Sequence, residues 1–151
     1  MAPKTVTDKI VSTGDYVAIQ DLFGRYCWNV DNGYRKEWAD LWTEDGVFTG
    51  VHPEPIVGRA QLEEIPTESY EGSDGGKLRH FVGNLSIDYG ETTNIAHASF
   101  YNLVTTWIGP GSFTVMALCQ AELVRRDGRW LIKQNDAIVM QAVPPQVGAP
   151  A

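Results

Sequence analysis

The sequence predicts an α+β domain, a cone of N-terminal helices laid on a strongly curved antiparallel sheet. Three observations lead there. Helical periodicity is confined to the first half of the chain, and four long extended segments fill the second half. Turn chemistry separates those segments at 90–94, 109–111 and Asp127-Gly128. Helices followed by a run of strands make an α+β domain rather than an alternating α/β one. Strands of roughly ten residues exceed the usual five or six, so the sheet should twist and curl. Helices over its concave face then leave a pocket between the two layers.

The elements follow in order. Residues 1–14 read as a polar lead-in, 15–140 as one domain and 141–151 as a proline-rich tail. In the stretch 18–31, AIQDLFGRYCWNVD, the residues Ile19, Leu22, Phe23, Tyr26 and Val30 recur at steps of three and four and make one apolar stripe. Asp15 is the expected N-cap, Asp21 and Arg25 pair on another face, and Asn32-Gly33 end the helix. Asp31 thus lies in the last turn, at the carbonyl end of the dipole, where a negative charge is unfavourable. It is either exposed before a turn or buried against a partner that wants a carboxylate.

A short second helix is expected over 36–42, closed by Glu44-Asp45-Gly46, and a short strand over 47–49. The stretch VHPEPIVG reads as a loop with at most a brief edge strand at Ile56 and Val57. A third helix over 59–65 should stop at Pro66, and the glycine-rich 69–77 should be a mobile loop. Asp127-Gly128 is a type I′ hairpin signal, since both central positions need positive φ. Gly83, inside the first long strand, marks a bulge or bend.

Composition narrows the function. The 151 residues suit one domain with a single core. A net charge of −7 without a basic patch argues against nucleic acid. No membrane-spanning run or signal-peptide core is visible, and Cys27 and Cys119 among apolar neighbours read as reduced and buried, so a cytoplasmic protein is expected. No metalloprotease, thiol-pair, nucleophile-elbow or phosphate-loop signature occurs. His52, in the proline loop, is expected at the surface and His97 as a satisfied structural histidine. With His80 they show no ligand spacing, so neither metal nor cofactor is expected.

His80 opens the first long strand in the string RHFVGN. That string, AIQDL followed after eight more residues by an aspartate, the tryptophan-rich second helix, EDG-x-F and the terminal RRDG-x-W hairpin together resemble the SnoaL-like branch of the nuclear transport factor 2-like superfamily. Scytalone dehydratase and hexachlorocyclohexane dehydrochlorinase are the members it echoes most. The resemblance implies that His80 acts as a base and that Asp31 orients and supports it. It implies a pocket lined by Phe48, Tyr101, Leu103, Val115, Ala117, Cys119, Ala137 and Val139, whose members on the long strands all carry odd numbers. Tyr26 is similar to a tyrosine of a bile-acid dehydratase in this branch, where a phenol acts as acid or polarises a carbonyl. A ring packed in the core is the equal alternative.

The departures are as informative. The dehydrochlorinase has a lysine at the place of Tyr26 and an arginine at that of Asn135, the cations that stabilise leaving chloride. Scytalone dehydratase has a histidine at the place of Thr105 and an asparagine at that of Cys119. What the resemblance implies is therefore a cofactor-free lyase of dehydratase type, with Tyr26 and Asn135 polarising a small hydrophobic cyclic or aromatic substrate. Isomerisation or deformylation on the same base stays open, as does a non-catalytic binding protein or an oxygenase β-subunit-like scaffold. Strict alternation counts against the dyad. It puts His80 on the polar face with Asn84, Ser86 and Asp88 unless the irregularity at Gly83 switches the parity.

Finally, the extended stretch 113–124 carries apolar side chains on both parities, which leaves one sheet face in need of a cover. A homo-oligomer is expected, a trimer first because related dehydratases are trimers, and a dimer second.

Overall fold

The computed structural model describes residues 9–140; residues 1–8 of the lead-in and the whole proline-rich tail lie outside the described residues. Helix α1 spans Thr13–Asp31 and α2 Arg35–Ala39; β1 is Trp42–Thr49 and β2 Ile56–Val57. Two short helices follow, α3 at Arg59–Leu62 and α4 at Glu64–Gly72, and then β3 Leu78–Tyr89, β4 Ile95–Thr106, β5 Ser112–Arg126 and β6 Arg129–Met140. Six strands form one curved sheet in the order β2-β1-β6-β5-β4-β3. All neighbours are antiparallel except β1 and β6, which run parallel. The helices cover the concave face, as the sequence predicts.

Helix α1 is set by the apolar stripe read from the sequence: Ile19, Leu22, Phe23, Tyr26 and Val30 are all buried. Its cap differs from expectation. Ser12 is the N-cap, its side chain accepting from the Asp15 N–H at 3.1 Å. That frees the Asp15 carboxylate for the interior, where it accepts from the Tyr89 hydroxyl, from Arg125 Nη1 at 2.5 Å and from Trp130 Nε1 at 3.1 Å. One carboxylate thereby ties the start of α1 to the ends of β3, β5 and β6. At the far end, Asn32 caps the helix and Gly33 has φ +71°.

Aromatic rings fill the space between α1, α2 and β1. Tyr26, Trp38 and Trp42 stack in sequence with centroids 5.2 and 5.3 Å apart, and Phe48 lies 5.5 Å from Trp42. Helix α2 stops at Ala39, short of the expected 42, because Trp42 pairs with Ile132 as the first residue of β1. Pro66 does not stop a helix. It is the third residue of α4, where the backbone N–H has no intrahelical acceptor to lose. Residues 69–72, expected as part of a mobile loop, form the last turn of α4. Asp127 and Gly128 have φ of +51° and +76°, as a type I′ turn requires.

The outer face of the sheet is apolar in rows. Phe81, Leu103, Met116 and Met140 are in register across four strands, and so are Tyr101, Leu118 and Ile138. Phe81, Ile138 and Met140 are each more than half exposed. Beyond them the rows turn polar, with Ser99, Gln120 and Asp136 in register.

The Asp15 cluster predicts acid sensitivity. Burial alone would raise the carboxyl pKa, but the bonds from Tyr89 and Trp130 and the charge of Arg125 reverse this and hold it below its usual value. A depressed folded-state pKa stabilises the protein above the unfolded carboxyl range, near pH 4, and that contribution is lost as pH falls through the folded value. Asp15→Asn should lower stability at pH 7 by about 2 kcal/mol, read by denaturant unfolding. It should also flatten the loss seen below about pH 4.

Candidate functional site

The site begins at the end of α1. Asp31 is buried, and its two carboxylate oxygens reach one residue 49 positions away: Oδ2 accepts from the His80 backbone N–H at 3.0 Å, and Oδ1 lies 2.6 Å from His80 Nδ1. The unfavourable charge at the helix C-terminus is compensated by two donors from the start of β3. Tyr70 of α4 holds this end in place, wedged where a Cβ on Gly76 would fall 2.5 Å from its ring.

His80 faces inward because β3 changes parity. Leu78, His80 and Val82 are partly buried in the first half of the strand, and Leu85, Ile87 and Tyr89 in the second. The pairing with β4 shifts between Gly83 and Ser86, and Asn84 adopts φ +55°. The irregularity expected near Gly83 is present, centred on Asn84, a residue type that tolerates the left-handed region.

His80 lines a cavity of about 430 Å³ between the helices and the sheet. Of the residues predicted to line it, Phe48, Val115, Ala117, Cys119, Ala137 and Val139 do, together with Tyr26. Tyr101 and Leu103 do not. They sit on the outer face, and Asn102 and Val104 take their places in the wall. Odd numbers mark one face within a strand but carry no meaning across a turn, because register decides which parities align. Tyr101 pairs with Leu118, and Asn102 with Ala117. Within β4 the signal was present: Ala96, Ala98 and Phe100 are buried, while the intervening His97 and Ser99 are exposed. His97 is thus a solvent-facing residue, not a buried structural one.

Asn135, expected to contact substrate, is not among the residues that line the cavity; it is 1% exposed, with both amide atoms lacking a hydrogen-bond partner. Its amide is close enough to Tyr26 to favour the phenolate without meeting hydrogen-bond geometry, and burial outweighs it, pushing the phenol well above its usual range. Tyr26 is therefore a neutral hydroxyl and a donor. Burial pushes the Cys119 thiol up to about 12, so it is no nucleophile. Cys27, partly buried against the core, is raised to about 12 for the same reason.

Two wall residues were missed or misread. Asn102 is 8% exposed and its Oδ1 is buried without a partner. It is the one amide among the small and apolar residues of the cavity floor. His52, expected simply at the surface, stands at the cavity rim with Nε2 2.9 Å from Glu68 Oε2. Nothing in VHPEPIVG shows which way that loop folds.

Comparison with known families gives a match to the SnoaL-like domain over residues 12–136. The chain belongs to the SnoaL-like family. Solved structures share the fold at low identity. A variant of Rv3472 from Mycobacterium tuberculosis, described as of unknown function, is 24% identical with a TM-score of 0.77, over 85% of this chain and 73% of that one. ActVI-ORFA from Streptomyces coelicolor is 23% identical with a TM-score of 0.76, covering 88% and 100%. A Novosphingobium aromaticivorans protein given the provisional name scytalone dehydratase is 18% identical with a TM-score of 0.74, covering 85% of each chain. No curated protein matches. Among the described residues, no helix of this SnoaL-like chain is long and apolar enough to cross a membrane.

The parity change makes a prediction of its own. Asn84→Gly should be tolerated, whereas Asn84→Val should cost about 1–3 kcal/mol by forcing a β-branched residue to positive φ. If the strand relieves that strain by losing its bulge, His80 turns outward. The check is the His80 imidazole proton resonance, which should lose its downfield Asp31-bonded signal in the valine variant alone.

Proposed function

We propose that this protein is a cofactor-free lyase in which His80 removes a carbon-bound proton from a small hydrophobic cyclic or aromatic substrate and water is eliminated. The observation that carries this reading is the Asp31 carboxylate gripping both the backbone N–H and Nδ1 of His80 at the wall of an apolar cavity. A carboxylate on Nδ1 fixes the proton there, leaves Nε2 as the acceptor, and stabilises the imidazolium formed on proton transfer. The walls from Phe48, Val104, Val115, Ala117 and Val139 suit a hydrophobic ring. Tyr26, kept neutral by burial, donates to a carbonyl or to developing oxyanion charge. Asn102 offers a second polar contact whose unmet bonding a ligand would satisfy.

Nitrobenzisoxazole, which opens to a coloured phenolate once a base takes a single C–H proton, tests the base without knowledge of the natural substrate. Turnover should fall about 10²–10⁴-fold in His80→Ala. Asp31→Asn should cost a comparable factor, and the double variant little more than either alone, because the pair acts as a unit. Full activity in His80→Ala would remove His80 as the base, and no turnover by the wild-type protein would favour a non-catalytic binding or scaffold role. Exhaustive chelation should leave the rate unchanged; loss reversed by zinc would assign the chemistry to a metal.

We also propose that the outer apolar rows are covered by further copies of the chain, a trimer first and a dimer second. Seven apolar side chains in register over four strands exceed what a lone soluble chain ordinarily exposes in one patch. Light scattering at micromolar concentration should give a multiple of the 16.7 kDa chain mass. A monomer would instead favour a partner of different sequence.

A further inference from the structure

We propose that His52 is the acid partner of His80, protonating the leaving oxygen across the same cavity while His80 takes the carbon-bound proton; this rests on the elimination reading above. Its placement is the first support. His52 and Glu68 line the cavity that His80 and Tyr26 line. Gly50, at φ +91°, presses the chain so close to β6 that a Cβ would stand 1.8 Å from the Ala137 carbonyl oxygen. The loop that follows therefore leaves β1 with a fixed direction and carries His52 to the rim. From the other side, Ile65, Glu68 and Ser69 sit at helical spacing on one face of α4, and all three line the cavity.

Orientation is the second. Glu68 Oε2 lies 2.9 Å from His52 Nε2, which leaves Nδ1 as the ring nitrogen for a ligand. At His80 the arrangement is reversed, with Nδ1 held by Asp31 and Nε2 left over. Two imidazoles, each steered by its own carboxylate through the opposite nitrogen, thus share one cavity.

Third, the other wall groups are poor proton donors. Tyr26 is held well above its usual range and the Cys119 thiol is raised to about 12, both by burial. The hydroxyls of Ser69 and Thr114 are weaker acids still. Imidazole is the side-chain type whose ordinary titration spans neutral pH. The far side of His52 opens on a groove lined by Glu54, Glu64 and Glu68, with Arg35 paired to Glu64. Water among those carboxylates can return a proton to the ring after each turnover.

The step balances as a dehydration. His80 Nε2 takes the C–H proton, the C–H electron pair forms the new double bond, and the C–O bond breaks with its pair on oxygen. That oxygen takes the proton from His52 Nδ1 and leaves as water. His80 then loses a proton to solvent and His52 regains one, so no oxidant or reductant is needed.

Two probes separate the roles. Nitrobenzisoxazole expels a stabilised phenolate and depends mainly on the base. The aldol adduct of acetone and para-nitrobenzaldehyde expels hydroxide on dehydrating to its enone and depends on the acid as well. Wild-type protein should dehydrate the adduct with a bell-shaped pH dependence, an acid limb from the base and an alkaline limb from the acid. In His52→Gln the adduct rate should fall about 100-fold, at least about tenfold more than the nitrobenzisoxazole rate, and the alkaline limb should vanish. Equal losses on both probes, an alkaline limb that persists in His52→Gln, or no turnover of the adduct by wild-type protein that opens nitrobenzisoxazole would each overturn the assignment of His52. Retention of nitrobenzisoxazole opening in His80→Ala would instead show that the base itself is misassigned.

Discussion

The site depends on a buried carboxylate placed where helix electrostatics resist it. Asp31 ends α1 beside the exposed carbonyls, and it is nearly removed from water. An unpaired charge there would be strongly destabilising. Two donors from a single residue, His80, resolve the conflict, and each brings a structural requirement. The backbone N–H fixes where β3 begins relative to α1. The ring bond fixes the side chain inward, which β3 can satisfy only by switching its parity before Leu85. The bulge at Asn84 is thus the counterpart of the charge at Asp31. Residues 53 positions apart serve one geometric condition.

At the other end of α1 the same logic recurs with a different outcome. Asp15 also places a carboxylate between helix and sheet, but both its oxygens are taken by structural donors, Tyr89, Arg125 and Trp130. That cluster is closed, whereas the Asp31 pair ends on a ring nitrogen at an open wall. Between the two lies a contrast in packing. The aromatic rings of Tyr26, Trp38, Trp42 and Phe48 fill the first half of the interior. Across from them Ala117, Cys119 and Ala137 present small side chains, and the unfilled volume is the cavity.

Much of this was legible in the sequence, and the failures have physical causes. Periodicity identified α1 residue by residue, since its apolar stripe faces one continuous core. Turn punctuation located every long hairpin, and at Gly109, Asp127 and Gly128 the reason is the positive φ those positions adopt, a local steric demand. Asp31 announced itself by its position in the helix. What failed were inferences that needed register. The resemblance implies that Tyr101 and Leu103 line the cavity, with shared parity in support, and only the β4–β5 pairing shows that even positions of β4 face inward. Pro66 and the glycines after it looked like breakers, yet a proline at the third residue of a helix sacrifices no bond. His52 could not be placed from its neighbours, because the path of its loop depends on the contact of Gly50 with a strand almost ninety residues later.

The bulky apolar outer rows and the small-residue floor of the cavity pull the sheet's sequence in two directions. Strands β4 and β5 must carry side chains suited to burial on one face and to contact on the other, so neither alternates cleanly between apolar and polar. Asn102 shows how narrow the tolerance is. Its neighbours Tyr101 and Leu103 belong to the outer rows, and a one-residue slip of β4 would exchange them with it. Such a slip would bury the bulky Tyr101 against Ala117 and fill the cavity while exposing the amide. In the β4–β5 ladder the register shifts between Val104 and Thr105, at the end of β4 nearest His80, and the ten pairs from Ile95 to Val104 run undisturbed. The wall of the site and the outer rows are therefore two consequences of one register. A substitution that loosens either face should be felt on the other.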